Sequence, residues 1–346
     1  MTATALQHTR KPESLRRRRL IGLGVATALL LVMVILSLAL GARDVAIGDV
    51  WNALFAPDAG NNDHLVVRDL RIPRTVIGVI VGLALALAGT IMQGVTRNPL
   101  ADPGLLGVNA GASVFVVLAI GVLGISSPSA YVWFAFLGAA AAASVVYAIG
   151  AIGREGATPV KLVLAGTALT AGLTSIITLV LITDTETLNS YRFWSVGSLA
   201  SRDFEPIIAL WPFIAVGAVL AFAVGRMLNL LSLGDDLARG LGQNLALTRV
   251  IAAVAVVLLC GSATALAGPM VFVGLVVPHI VRPITGPDYR WILAYSALLG
   301  PVLLLAADVV GRLIVRPAEL EAGIIIAVIG APIMIALVRR VKLAGL

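Results

Sequence analysis

RRRRLIGLGVATALLLVMVILSLAL, residues Arg16 to Leu40, is the stretch that decides the fold. Four consecutive arginines precede an apolar run, Leu20 to Leu40, that contains no charged residue. A secretory signal peptide also joins a basic start to an apolar core, but that core holds only about 7–15 residues. This run is longer, and at about 1.5 Å per residue it spans a hydrocarbon layer of about 30 Å. Cleavage at Ala39-Leu40-Gly41 is the alternative; the reading adopted is a retained first span whose arginines stay in the cytoplasm.

The same pattern repeats along the whole chain. Apolar runs of membrane-crossing length fall near 20–41, 75–95, 105–124, 131–152, 160–183, 206–228, 247–266, 268–284, 291–311 and 322–338. They predict an all-α polytopic membrane protein with about ten transmembrane helices, the boundary at Gly268 being the least sharply drawn. An even number places both termini on one side. More Lys and Arg fall on the side of the N-terminal tail than on the other, which makes that side cytoplasmic by the positive-inside rule.

Composition agrees. Of 346 residues, 59% are hydrophobic and 12% charged, against roughly 25% charged in soluble domains. Mean hydropathy is +1.01. Too little polar surface remains to cover a water-soluble core, which excludes a soluble enzyme, a disordered chain and a nucleic-acid module. The net charge of +7 sits in short breaks between apolar runs, so it answers to the membrane and not to nucleic acid. The chain divides into a basic cytoplasmic tail, 1–19, and one transmembrane domain, 20–346. Cys260, the sole cysteine, lies in an apolar run and reads as a small packing residue.

No Gly-x-x-x-x-Gly-Lys-Ser/Thr loop, His-Glu-x-x-His or Gly-x-Ser-x-Gly motif occurs, and His8, His64 and His279 are far apart. No catalytic residue, metal ligand or bound cofactor is therefore expected. Repetition of Ala86-Leu87-Ala88-Gly89 as Ala265-Leu266-Ala267-Gly268 is read as coincidence in so Ala- and Leu-rich a chain. The long polar break from Arg43 to Arg74 is expected to hold one short amphipathic helix near Val50–Phe55.

Four segments exceed what a bundle needs. Gln93 to Gly107 carries Asn98-Pro99 and Asp102-Pro103, where prolines end one helix and Asp102 or Asn109 caps the next. In Leu231 to Gly242, Gly234 breaks the chain, Asp235 and Asp236 favour a helix start, and Gly240 and Gly242 end it. The resulting short helix, within 231–246, places Leu237, Ala238 and Leu241 at helical spacing around Arg239. It is either a partner-binding strip or a helix lying on lipid. Gly268 to Arg282 is punctuated by Pro269, Gly274 and Pro278, which predicts a short or broken helix beside a pathway. His279 within it reads as a packing residue. Asp308 stands four residues before Arg312 on one helix face, as a structural ion pair or a transport group.

These segments resemble the FecCD-type permeases of ATP-binding-cassette importers for iron–siderophores, haem and cobalamin. The resemblance runs through Arg71-Ile72-Pro73-Arg74, Asn98-Pro99-Leu100-Ala101-Asp102-Pro103, Phe193-Trp194-Ser195-Val196-Gly197, Gly234 to Gly242, Phe272 to Arg282, Glu319-Leu320 and Gly330-Ala331-Pro332, in order. Tyr289 departs from it, standing where members commonly carry His. The likeness implies the type II importer permease architecture. It implies a second permease chain, two cytoplasmic ATPase subunits that bind ATP and Mg, and an extracytoplasmic solute-binding protein. It implies, too, that Gly234–Gly242 is the coupling helix to the ATPase. On this reading Arg71, Arg74 and Arg312 dock the binding protein, while Asn98, Pro99, Gly274 and Pro278 border the pathway. The cargo is a ferric siderophore chelate, with cobalamin or haem as the alternative.

Two other classes fit less well. An ion-coupled secondary transporter expects ionisable groups deep in its spans, and only Asp308 and His279 approach that. An intramembrane enzyme holding Mg²⁺ and a diphosphate on Asp235-Asp236 would need more acidic ligands than Asp102 and Asp288 supply.

Overall fold

A computed structural model describes residues 12–125, 127–152, 158–200 and 204–344. Every regular element among them is helical: α1 (Pro12–Ala39), α2 (Ile47–Phe55), α3 (Asn62–Leu65), α4 (Ile72–Thr96), α5 (Val108–Gly121), α6 (Pro128–Ala151), α7 (Pro159–Thr183), α8 (Thr185–Ser195), α9 (Glu205–Leu231), α10 (Asp235–Gly240), α11 (Leu245–Ala267), α12 (Val273–Thr285), α13 (Tyr289–Ile314) and α14 (Ala322–Ala344). Residues 1–11, Arg154 and Arg202, which enter the charge and tail readings, lie outside the described residues. From Pro12 on, the tail is already helical and continuous with α1, so 12–19 belongs to the first element.

Among the described residues, seven helices are long and apolar enough to cross a membrane, and three shorter apolar ones accompany them. The expected ten segments are thus present, but of unequal kind. At about 1.5 Å per residue, α5 and α12 reach only about 20 Å, two-thirds of a hydrocarbon core. Each starts inside the protein. Ahead of α5, Pro103–Leu106 forms a single 3₁₀ turn capped by Asp102, whose side chain accepts from the Gly104 N–H. Ahead of α12 the chain runs without helix from Gly268 to Phe272. Irregular backbone of this kind survives at membrane depth only where protein encloses it.

α4 is the centre of the bundle, with 78% of its most apolar window buried, against 11% for both α1 and α7. It continues from α3 through a π turn, Val66–Arg71, closed by the Ile72 N–H donating to the Val67 carbonyl. α4 packs on α13, where the Thr90 hydroxyl meets the Ser296 hydroxyl at 3.0 Å. α1 lies outside α13, tied by the Tyr295 hydroxyl donating to the Arg19 carbonyl at 2.6 Å. The amphipathic helix expected near Val50–Phe55 is α2. Unforeseen were α3 with the π turn that follows it, and α8, a short polar helix between α7 and α9, started by Asp184, whose side chain accepts from the Glu186 N–H.

Candidate functional site: two ends of the bundle and a broken centre

Three places in the bundle carry more polar chemistry than packing demands. The first lies where α1, α4 and α13 end together. Arg71 donates to the carbonyls of Leu38 at 2.7 Å, Ala39 at 2.6 Å and Arg43 at 2.5 Å. Arg312 donates to the carbonyls of Ser37 at 3.0 Å and Leu40 at 2.7 Å. The last carbonyls of a helix have no partner within it and carry partial negative charge. Two guanidiniums from distant elements therefore cap the C-terminus of α1.

Beside Arg312 sits Asp308, fully buried. It accepts from Arg74 Nε at 2.9 Å and pairs with Arg312 at 3.0 Å. Arg74 also donates to Glu319 at 2.5 Å. The sequence reading placed Arg71, Arg74 and Arg312 on a docking surface, yet they are only 4%, 8% and 2% exposed. Most of their donors serve the chain itself, while Arg312 Nε is buried without a hydrogen-bond partner. They form one wall of a cleft of about 360 Å³ that Arg43, Ala200 and Glu319 help to line. Arg43 is the exposed member, its side chain 57% accessible and paired with Asp63 at 2.7 Å.

The second place is the broken centre. Gly89 of α4 and Gly274 of α12 touch backbone to backbone: a Cβ on Gly89 would stand 2.0 Å from the Gly274 carbonyl oxygen. Pro103 closes on the same point, 3.3 Å from where a Gly274 Cβ would be. The starts of α5 and α12 thus converge on the middle of α4. Pro278 cannot donate to the Gly274 carbonyl four residues earlier. Gln93 takes over, its Nε2 donating to the carbonyls of Gly274 and Leu275 at 3.3 Å each. Gln93 is 1% exposed, and sequence reading did not single it out for this role; an amide one turn from a helix end and level with a proline-broken run was the available signal. Asn98 shapes the preceding turn by accepting from the Leu100 N–H at 2.9 Å, with Pro99 half-buried beside it. Gly274 and Pro278 are buried within this chain.

The third place is the opposite end, where α10 stands. Gly234 adopts a φ of 106°, a left-handed value that glycine reaches without strain, and so turns the chain into α10. Asp235 begins the helix and holds two arginines, Arg97 from the end of α4 and Arg249 of α11, the latter at 2.8 Å. Asp236 pairs with Arg239 on the exposed side at 2.9 Å, and Gly242 ends the segment with a φ of 82°. Leu237 and Leu241 are 62% and 61% exposed, whereas Ala238 is fully buried. The three were expected on one strip. Only the leucines face outward, and Ala238 seats the helix on the bundle. Among the described residues no group of three His, Cys, Asp or Glu is placed to hold a metal ion.

Comparison with known proteins gives a consistent result. The profile of the FecCD transport family matches residues 29–340. The ferric enterobactin transport system permease protein FepD of Escherichia coli (strain K12) is 44% identical over 318 residues, covering 92% of this chain and 94% of the relative. The Fe(3+)-citrate import system permease protein YfmD of Bacillus subtilis (strain 168) is 43% identical over 305 residues, covering 88% and 90%. The hemin transport system permease protein HmuU of Yersinia pestis is 35% identical over 326 residues, covering 92% and 95%. A solved structure described as a metal-chelate type ABC transporter in an inward-facing conformation superposes with a TM-score of 0.79 at 27% identity, covering 92% of this chain and 98% of that one. The matched region takes in the arginine end, both short helices and α10, and the chain belongs to the FecCD transport family: it is a multi-pass membrane permease, a transport component and not an enzyme.

Proposed function

We infer that this permease moves a ferric chelate, a siderophore complex in the first instance, inward across the cytoplasmic membrane. Two copies, or this chain with a related one, enclose the path. Two ATPase subunits, which bind ATP and Mg, drive it from the α10 end, and a solute-binding protein delivers cargo at the arginine end. Relatives that carry ferric enterobactin, ferric citrate and hemin support the cargo class. The excess of Lys and Arg at the tail and α10 side supports cytoplasmic termini. Docking at the other end then works through the cleft: a partner carboxylate entering beside the exposed Arg43 meets a wall already positive from Arg71, Arg74 and Arg312.

The observation that carries the reading is α10, a helix held to the bundle by Ala238 and the Asp235 ion pairs while presenting Leu237 and Leu241 to whatever lies beyond. A short helix with an apolar pair outside the bundle fits a groove on a neighbouring subunit. Replacing both leucines by Asp is expected to abolish copurification of the ATPase while the permease still inserts and purifies as a monodisperse species. Full retention of the ATPase by the double variant, or ATP hydrolysis by the purified permease alone, removes α10 from the coupling role. The alternating-access cycle follows from that contact: closure of the ATPase pair displaces α10 and with it α4 and α11, to which Asp235 is bonded.

A further inference from the structure

Beside α10 a cleft of about 340 Å³ runs between α4, α6 and α11. Its floor is apolar, with Ile91, Met92 and Val95 of α4 buried beneath it. Its edges are open, since Ala148 of α6 and Val250 and Val254 of α11 are exposed. Along α11 the lining runs from Arg249 to Leu258, about 14 Å at 1.5 Å per residue. That is half of a hydrocarbon core of about 30 Å, the depth of one leaflet.

The end of the cleft is basic. Arg249 lines it, its side chain only 15% exposed. Arg249 Nε is buried without a hydrogen-bond partner. Its Nη2 pairs with Asp235, but that one carboxylate is shared with Arg97. Asp236, the other acidic group of α10, is turned outward to Arg239. Two guanidiniums thus face one carboxylate, which leaves a net positive charge beside the Arg249 end of the apolar cleft, with the Arg249 Nε–H buried and unpaired.

We propose that this cleft binds an anionic membrane phospholipid, one acyl chain lying along α4 and α11 and the phosphate at Arg249. The chain-length match names a lipid of the leaflet nearest α10, and the uncompensated arginine names a negative headgroup. Because the phosphate competes with Asp235 for Arg249, occupancy loosens the hold on the first residue of α10. The lipid therefore tunes the position of the helix that the coupling reading assigns to the ATPase; binding itself rests only on the membrane fold.

The test uses the assembled transporter in nanodiscs of equal phosphatidylglycerol and phosphatidylethanolamine, released gently and read by native mass spectrometry. Wild-type transporter is expected to retain phosphatidylglycerol with a preference of about fivefold, the weight of a single basic residue at a membrane surface. Arg249→Gln removes the preference while lipid is still retained, and Arg249→Lys restores part of it. Ala148→Trp or, on the facing wall, Val254→Trp fills the cleft and removes retention of either lipid; both sites are exposed, and each variant is checked for a monodisperse profile. Excess inorganic phosphate leaves the bound lipid in place. Equal retention of the two lipids by wild type overturns the proposal, as does unchanged retention in the filled variants. Displacement by phosphate alone would mean a bare anion site. Lipid on the isolated chain but none on the assembled transporter would mean that another subunit covers the cleft.

Discussion

Asp308 shows how much a single residue can settle. It is fully buried and is shared by Arg74 and Arg312. Removing one partner from a buried ion network leaves charge that neither water nor protein offsets, at a cost of about 3–5 kcal/mol. Asp308→Asn is therefore expected to lower the thermal midpoint of the detergent-solubilised permease sharply and to free the end of α1, seen as faster proteolysis near Gly41. An unchanged midpoint would mean that Glu319 alone compensates both arginines. Asp288 makes a milder case at the other end. It caps α13, accepts from Asn229 at 2.7 Å and pairs with Arg290 at 2.9 Å; the Arg290 hydrogen bond is the main reason its carboxyl is held down to about 2. A carboxyl lowered on folding contributes stability that is whole above its unfolded value of about 3.9 and is lost as pH falls towards 2. Acid titration of wild type should show this loss between about pH 4 and 2, and Asp288→Ala should flatten the curve there. Sequence reading paired Asp308 with Arg312 correctly as neighbours on one helix turn. It missed the burial of Arg71 and Arg312, because their acceptors include carbonyls of α1, some thirty to 275 residues away, and backbone acceptors leave no mark in a sequence; Arg74 is buried against the carboxylates of Asp308 and Glu319, both more than 230 residues away.

At the scale of elements, legibility followed the physics of each signal. Long apolar runs announced α1, α4, α6, α7, α9, α11 and α13, and the Gly–Asp–Asp start announced α10. The short helix α5 was read as a full span, since apolar length alone does not tell a crossing helix from an apolar approach followed by a half helix, whereas Pro269, Gly274 and Pro278 marked the run containing α12 as short or broken. α8 stayed hidden because it is polar and follows α7 with only Asp184 between. What lets half helices exist is the contact of Gly89 with Gly274. A Cβ at Gly89 would meet backbone at 2.0 Å, and backbone there cannot yield without moving α12. Gly89→Ala is expected to destabilise by more than the 1–3 kcal/mol usual for overpacking. Gly24, in α1, meets nothing within 4 Å, so Gly24→Ala should be neutral or gain about 0.5–1 kcal/mol through helix propensity. Survival of a thermal challenge, read by size-exclusion chromatography, compares the two directly. Equal survival would mean that the crossing is looser than its geometry.

At the scale of the whole molecule, two helices lie outermost and their surfaces differ. α1 exposes large aliphatics, Leu20, Ile21, Val25, Leu31 and Ile35 among them, the surface that lipid tails accept. α7 is equally exposed, yet along one face it presents Thr167, Ala171, Ser175 and Thr178. Their spacing of four, four and three keeps them on one helical stripe. The three hydroxyls donate to their own helix, Thr167 to the Val163 carbonyl at 2.8 Å, Ser175 to Ala171 at 3.0 Å and Thr178 to Thr174 at 2.8 Å. Small and hydroxyl-bearing side chains are what membrane helices place against other helices or water, because they permit close approach and carry polarity that lipid does not repay. The described bundle shows no such neighbour for this stripe, and on the function proposed above the second permease and the path between the chains supply it. In a Cys260→Ser background, cysteines at Ala171, Ser175 and Thr178 should react in intact membranes with a water-soluble maleimide or cross-link to the neighbouring permease. Cysteines at Val25 and Ile35 of α1 should do neither. Equal silence of both sets would turn α7 toward lipid and move the path to another face of the bundle, with α14, which exposes Val328 and Ile335, as the next surface to probe.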